Sequence, residues 1–372
     1  MAVGEPLLGP ATAALTDLFL WLVRLFAALP GAAITIPTPP PLLVAAWLGL
    51  LYLAGKPVTG EGEARGLRRL LHRDRWLVAG VAAALAAGLC FLGTPQGGRL
   101  EVHFIDVGQG DAALVRAPDG AAVLIDAGGW PGEYEGAPGA GRRTVVPYLK
   151  RLGIRRVDAL VLTHPHEDHA GGAAAVLDAV KVGMVVVAPV AGAEDPPPGY
   201  ARLLARCAET DVKVREARAG ARIKAGTALD LDVLSPEEPF FHGTSSDFNN
   251  NSLVLRLRYG RHTFLFTADI QQEAQARLLL SGRDLRADVL KVPHHGSAAF
   301  VPPFFEAVRP AVAVVSVGTR NRFGLPSPAA LEKLEEVGAR VYRTDRDGAV
   351  IVRTDGRTLT VETGRARQRP AA

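Results

Sequence analysis

The chain has 372 residues, enough for one large domain or two ordinary ones with a substantial core, and carries 42 Lys and Arg against 38 Asp and Glu. Residues 1–97 hold seven basic and five acidic residues, which leaves 35 against 33 for 98–372, so the longer part has no global basic field for nucleic acid. Two cysteines, Cys90 and Cys207, exclude a disulfide framework and a thiolate metal cluster.

The chain begins apolar. In TDLFLWLVRLFAAL, Asp17 and Arg24 fall on one helical face, which predicts a helix lying in a membrane interface over 12–29. PLLVAAWLGLLYLAG (41–55) and WLVAGVAAALAAGLCFLG (76–93) contain no charged residue and approach the ~20 apolar residues of a bilayer span. The loop between them sets Lys56, Arg65, Arg68, Arg69, Arg73 and Arg75 against Glu61, Glu63 and Asp74, the bias of a cytoplasmic loop. This predicts a hairpin of spans at 41–55 and 76–93, with the part after residue 97 on the extracytoplasmic side. Residues 1–97 therefore read as a membrane-associated helical segment and 98–372 as a separate α/β domain.

In that domain LEVHFIDV, DAALVRA and AAVLIDAGG are short β-rich runs separated by GQG and PDG turns, as in a meander. A helix over VVPYLKRLG and an apolar strand VDALVLTH follow. VGMVVVAP, a helix near 198–209 and the strand DVKVREAR lead into a loop reaching to about Asn250. SLVLRLRYGRHTFLFTAD reads as a hairpin turning at Tyr259-Gly260-Arg261-His262. A helix over IQQEAQARLLLSG, the strand DVLKVPHHGS, the strand AVAVVSVG, a helix near 327–337 and the strands ARVYRT and GAVIVRT close the chain. Meanders mixed with strand-loop-helix units predict sheets covered by helices.

HPHEDHAGG (164–172) follows the apolar strand VDALVLT, where chemistry tends to sit. The imidazoles of His164 and His166 suit one transition-metal ion, and Asp168 with His169 another. Nine histidines supply every distant imidazole. His294 and His295 stand at another strand end before Gly296-Ser297, which predicts a ligand role for at least one of them. His262 in a hairpin turn and His103 within a strand read as structural; His242 in a polar loop is left open, and His72 lies in the basic loop away from the site. Asp269 ends TFLFTAD just as an apolar strand stops, and a carboxylate there can bridge two cations. The basic run Arg142, Arg143, Lys150, Arg151, Arg155 and Arg156 reads first as a solvated helix face.

HPHEDH, TAD and PHHGS, in that order, resemble the HxHxDH loop, bridging Asp and final His of the metallo-β-lactamase superfamily. EVHFIDVGQGDAALV, NNNSLVLRL, FLFTADI, DVLKVPHHGS and SVGTRNRFGLP resemble, more narrowly, the carboxy-terminal domain of the ComEC family of DNA-internalisation competence proteins, in a short form. The resemblance spans roughly residues 40–365. It implies an αββα sandwich after an α-helical membrane segment, and one or two divalent ions, zinc or manganese, held by His164, His166, Asp168, His169, Asp269 and His294 or His295. Asp168 and Asp269 become the catalytic carboxylates, and the substrate contacts implied are Gln109, Asp111, Asn251, Ser297, Arg320 and Arg322, with Asp106 or Asp111 orienting neighbouring ligands. Two positions depart from the pattern. The superfamily's third imidazole on the first metal has NNNS in its place, which shifts preference toward harder ions such as manganese, and Leu325 stands in FGLP where such sequences commonly have FGHP.

The activity expected from this resemblance is metal-assisted hydrolysis of a phosphodiester in DNA during uptake across the membrane. Its partners are then DNA, the membrane and a DNA-channel protein of the competence machinery. Two other readings compete: hydrolysis of another ester, lactone or thioester, since one fold serves many chemistries, and a non-catalytic DNA-binding component of an uptake complex.

Overall fold

In the computed structural model, which describes residues 5–27, isolated positions between 44 and 80, 98–190 and 195–365, the chain divides into Met1–Gly93 and Thr94–Ala372. In the first unit a 23-residue helix, Glu5–Ala27, covers most of the stretch expected to lie in an interface, with Leu18, Phe19, Trp21 and Phe26 exposed. The spans expected at 41–55 and 76–93 fall almost wholly outside the described residues. No helix among the described residues is long and apolar enough to cross a membrane.

The second unit is layered by the two-residue period of its strands. Val123 and Ile125 point into one apolar core while Ala122 and Leu124 of the same strand point into another, so both faces of the sheet are buried. Eight strands form the first sheet, in the order Leu359–Thr363, Val350–Thr354, Leu100–Phe104, Ala113–Arg116, Ala122–Ile125, Ala159–Leu162, Met184–Val187 and Lys213–Glu216. Seven form the second, in the order Arg340–Arg343, Val312–Val315, Val289–Lys291, His262–Phe266, Val254–Tyr259, Leu229–Ser235 and Arg222–Ala225. A central core joins the facing sides, with the rings of Phe104 and Phe266 6.0 Å apart. Helices carrying Leu149, Val176 and Leu203 cover the outer face of the first sheet, and helices carrying Leu278, Phe305 and Leu334 that of the second. This is a mixed α/β sandwich of four layers, consistent with the fold expected above.

Each sheet is antiparallel in one part and parallel in the other. In the first, Ala122–Ile125, Ala159–Leu162, Met184–Val187 and Lys213–Glu216 run parallel; in the second, His262–Phe266, Val289–Lys291, Val312–Val315 and Arg340–Arg343 do so. Every segment that carries a candidate ligand leaves the carboxyl end of a parallel strand. These ends are where open α/β sheets place ligands.

Several elements differ from expectation. The loop expected to reach Asn250 contains a hairpin, Arg222–Ala225 paired with Leu229–Ser235, whose Leu229, Leu231 and Val233 enter the central core while Asp230 and Asp232 face outward. Its alternation is a strand signal, although the Gly-Thr turn and the charged outer face gave the stretch a loop-like composition. A helix, Pro302–Val308, follows the PHHGS segment, and a last strand, Leu359–Thr363, pairs with Val350–Thr354 beyond the expected end of the fold.

The GQG turn, the segment after Ile125 and the histidine loop meet backbone to backbone. A Cβ on Gly110 would overlap the Asp168 carbonyl, and one on Gly129 the Glu167 carbonyl. Overpacking of this kind costs about 1–3 kcal/mol. The Gly129→Ala chain is therefore expected to melt several degrees lower than the parent in a calorimetric scan, and an unchanged melting temperature would contradict this close approach.

Candidate metal centre

Asp126, at the end of Ala122–Ile125, has a left-handed backbone (φ 58°) that turns its carboxylate beneath the histidine loop. Oδ1 accepts from the Thr163 amide at 2.8 Å, and Oδ2 accepts from Thr163 Oγ1 at 2.7 Å and from His169 Nδ1 at 2.8 Å. Since the Thr163 hydroxyl hydrogen is committed to Asp126, its oxygen accepts from His164 Nδ1 at 3.1 Å. His295 Nδ1 donates to the Ser316 carbonyl at 2.9 Å. One ring nitrogen of each of His164, His169 and His295 is thus a fixed donor, and Nε2 is the atom left to coordinate. All three Nε2 atoms are buried and without a hydrogen-bond partner among the described residues. Orphaned buried nitrogens pointing at shared carboxylates are what a cation site looks like without its cation.

The atoms converge. Asp269 Oδ2 lies 3.2 Å from both His169 Nε2 and His295 Nε2, and Asp168 Oδ2 lies 3.3 Å from His295 Nε2 and 4.0 Å from His169 Nε2. Asp168, His169, Asp269 and His295 thus offer two imidazole and two carboxylate donors to one point. His164 and His166 stand on the other side of His169, with ring centroids 4.1 Å between His164 and His169 and 4.7 Å between His164 and His166. The cluster is closed below and open above: His164, His169, Asp269 and His295 are buried, whereas the Asp168 side chain is 35% exposed and His166 is partly so.

His294 and His295 both adopt left-handed backbone, at φ 46° and 53°, a costly conformation for non-glycine residues. The turn aims His295 into the cluster and leaves His294 outside it, its Nδ1 3.4 Å from Gln271 Nε2. Of the pair expected to supply a ligand, His295 is therefore the one brought to the other donors.

The expected substrate contacts are placed differently from one another. Asp111 is buried behind the cluster, 3.5 Å from His295 Nδ1 and 3.7 Å from His169 Nδ1, where it supports imidazoles. Gln109 Oε1 accepts from the Gly318 amide, Asn251 pairs its amide with both backbone groups of Phe241, and Ser297 Oγ accepts from Ala299. These three fasten loops, because each side chain is committed to a backbone partner. Arg320 and Arg322 are exposed on the loop after Val312–Val315. Asp106 pairs with Arg365 at 3.1 Å, away from the ligands. His103 bonds Tyr148 and Glu101, and His262 bonds Thr354, as structural histidines do. Leu325 packs into the outer core of the second sheet.

Sequence reasoning missed Asp126 and Lys291. Asp126 carries the signal used for Asp269, an acid just where an apolar strand stops. Lys291 read as one more strand residue, yet it is buried, donating to the Ala268 carbonyl at 3.0 Å, lying 3.5 Å from Asp269 Oδ1 and pairing closely with Asp111. Its ammonium occupies one oxygen of Asp269 and leaves Oδ2 facing the imidazoles. Asn249, in the NNNS segment noted above, is buried with its side chain beside His166.

Burial alone would strip these groups of charge, but their neighbours dominate. Desolvation pushes His169 and His295 down, and the facing carboxylates, Asp269 first, outweigh it and hold both well above the ordinary imidazole value of 6.5. Desolvation pushes Asp269 up, and His295, His169 and Lys291 outweigh it; Asp168 is brought to about 2 in the same way, by His169 and His295. His164 is driven well below 6.5 by burial and by the neighbouring His169 and His166. Without metal, then, the facing carboxylates favour the protonated forms of His169 and His295. That stabilisation is fully present below pH 6.5 and is lost as the pH rises through their raised values. A divalent ion takes the place of these protons. Calorimetric titration with manganese in buffers of different ionisation enthalpy is expected to show proton release and an affinity that rises as the pH rises above 6.5. The metal-stripped chain should melt lower as the pH rises above 6.5, and metal should abolish that fall. An affinity independent of pH over this range would contradict the assignment.

The comparisons with known proteins agree with this geometry. The model of the Metallo-beta-lactamase superfamily matches residues 105–301. The chain is 34% identical over 270 residues to ComE operon protein 3 of Bacillus subtilis (strain 168), covering 70% of this chain and 34% of that protein. It is 30% identical over 247 residues to Competence protein ComA of Neisseria gonorrhoeae, covering 66% of this chain and 31% of the relative. To Recombination protein 2 of Haemophilus influenzae it is 28% identical over 271 residues, covering 73% and 31%. The chain thus spans about a third of the length of each of these curated relatives. With the superfamily's model matching more than half of its residues, and with relatives of the ComEC-type competence group, the chain belongs to the metallo-beta-lactamase superfamily.

Proposed function

We propose that the domain is a metal-dependent phosphodiesterase that cuts DNA in the course of competence DNA uptake. The observation that carries the hydrolytic part is the convergence of His169 Nε2, His295 Nε2, Asp168 and Asp269 Oδ2 on one point that is buried on every side but that of Asp168. The DNA part rests on the competence proteins among the relatives. The amino-terminal segment carries the further proposal of membrane attachment, with the basic loop between 56 and 75 on the cytoplasmic side and the hydrolase domain opposite.

The donors suit divalent cations: Asp168, His169, Asp269 and His295 would hold one, and His164 and His166 would supply imidazoles to a second. Such ions supply Lewis acidity toward a phosphoryl oxygen and lower the pKa of water. The protein's own work is positioning. Asp126 fixes the tautomers of His169 and, through Thr163, of His164. Lys291 restrains Asp269 Oδ1 and so aims Oδ2. Asp168, ionised because its pKa is about 2, is the most exposed carboxylate and accepts a hydrogen bond from attacking water at the open side. His166, held neutral by burial, forms the other half of that rim.

The position at His164 and His166 lacks a third imidazole and has the side chain of Asn249 beside His166. Oxygen in place of nitrogen favours manganese over zinc. The Asn249→His chain is accordingly expected to gain zinc affinity relative to manganese by about tenfold or more in competitive titration; an unchanged ratio would place Asn249 outside the centre. For the activity itself, the full-length chain with manganese should cleave single- or double-stranded DNA, and Asp168→Ala should reduce the rate at least about a hundredfold. Equal cleavage by the variant would remove Asp168 from the site. Turnover of small esters or lactones without cleavage of DNA would favour the wider hydrolase reading.

A further inference from the structure

The loop between Val312–Val315 and the helix Pro328–Glu336 has a second role to offer. Among the described residues from 98 onward, the exposed large apolar side chains are Val190, Val214, Leu280 and Phe323, and of these Phe323 alone is aromatic, at 60% exposure. A solvent-facing ring is costly to leave open unless something covers it. The loop that carries it is held rigid. Asn321 Nδ2 donates to the carbonyls of Gly318 and Leu325 at 2.9 Å each, and its Oδ1 accepts from the amides of Phe323 and Leu325. Both ends are tied to segments that build the metal centre: the Gly318 amide donates to Gln109, two residues from Asp111, and the Ser327 amide donates to the carbonyl of Gly296, next to His295. The ring is therefore presented at a fixed place beside the site.

Its neighbours are basic. Arg322 lies with its guanidinium 5.3 Å from the centroid of the Phe323 ring, and Arg320 is exposed two residues before. Among the described residues neither arginine forms an ion pair with a carboxylate. A rigid exposed ring flanked by two uncompensated guanidinium groups matches one kind of ligand closely: an unpaired base to stack on the ring and phosphates to meet the arginines. In a duplex the base faces are already stacked on one another and are closed to it.

We propose that Phe323, with Arg320 and Arg322, forms a base-stacking platform that binds single-stranded DNA and delivers it to the metal centre. The inference rests on the reading of the domain as a DNA phosphodiesterase and adds to it a preference for the unpaired strand. The test is binding of a fluorescein-labelled 20-mer, single-stranded or as a duplex, to the full-length chain in EDTA, followed by fluorescence anisotropy. Phe323→Ala and Phe323→Leu are expected to weaken single-strand binding by about tenfold, Phe323→Trp to retain it, and duplex binding to change little. The leucine variant separates stacking from mere apolar contact, and equal melting temperatures confirm that the variants fold. Single-strand binding by Phe323→Leu equal to that of the parent, or an equal loss for duplex and single strand, overturns the platform while leaving the DNA reading in place. Failure of the parent chain to bind either oligonucleotide overturns both.

Discussion

Asp111, Asp126 and Asp269 are buried carboxylates that all lie within hydrogen-bond or ion-pair reach of His169, Asp111 and Asp269 reaching His295 as well, and this concentration of negative charge is the constraint around which the rest of the domain is arranged. Removing one carboxylate from water is expensive, and bringing several together adds repulsion. The structure answers with Lys291, which pairs with Asp111 and Asp269, and with His169 and His295, whose protonated forms the carboxylates favour. Breaking a buried pair of this kind costs about 3–5 kcal/mol because the partner is left uncompensated. The centre is therefore a stability element as well as a binding site, and its metal-free form is organised in advance.

The two sheets make this arrangement possible. Parallel strands deliver their carboxyl ends to one edge of the sandwich, so Asp126 and the histidine loop arrive from the first sheet while Asp269 and His295 arrive from the second. Glycines at the crossing points let backbones touch, and consecutive left-handed residues at 294 and 295 turn one imidazole inward and its neighbour away. The strain at the turn is local; the central core, built from alternate residues of both sheets, holds it in place.

Much of this was legible in the sequence because the informative residues are of rare types in close spacing. Three histidines and two acids within HPHEDH, an acid ending TFLFTAD and the pair in PHHGS mark the donor segments without any structure. The choice of His295 over His294 was not legible, since both share one strand end and only the backbone turn separates them. Lys291 was hidden by its place in an apolar strand, where a lysine usually reaches for solvent. Asp126 had the same strand-end position as Asp269 but no histidine beside it in sequence; its partners, Thr163 and His169, are 37 and 43 residues away. The hairpin over 222–235 was lost because its outward face is charged and its turn polar. Leu325 and the NNNS segment were recognised as departures from the family pattern, and the structure gives each a place: Leu325 half-buried against an apolar core, Asn249 buried beside His166.

The central claim is that Asp168, His169, Asp269 and His295 enclose a divalent cation. Anomalous diffraction from crystals of the chain grown with manganese tests it most directly. The account predicts an anomalous peak within coordination distance of His169 Nε2, His295 Nε2 and a carboxylate oxygen from each aspartate. A structure saturated with manganese that shows no peak among these four residues, or shows it bound elsewhere with His169 Nε2 still within hydrogen-bond distance of Asp269, would contradict it.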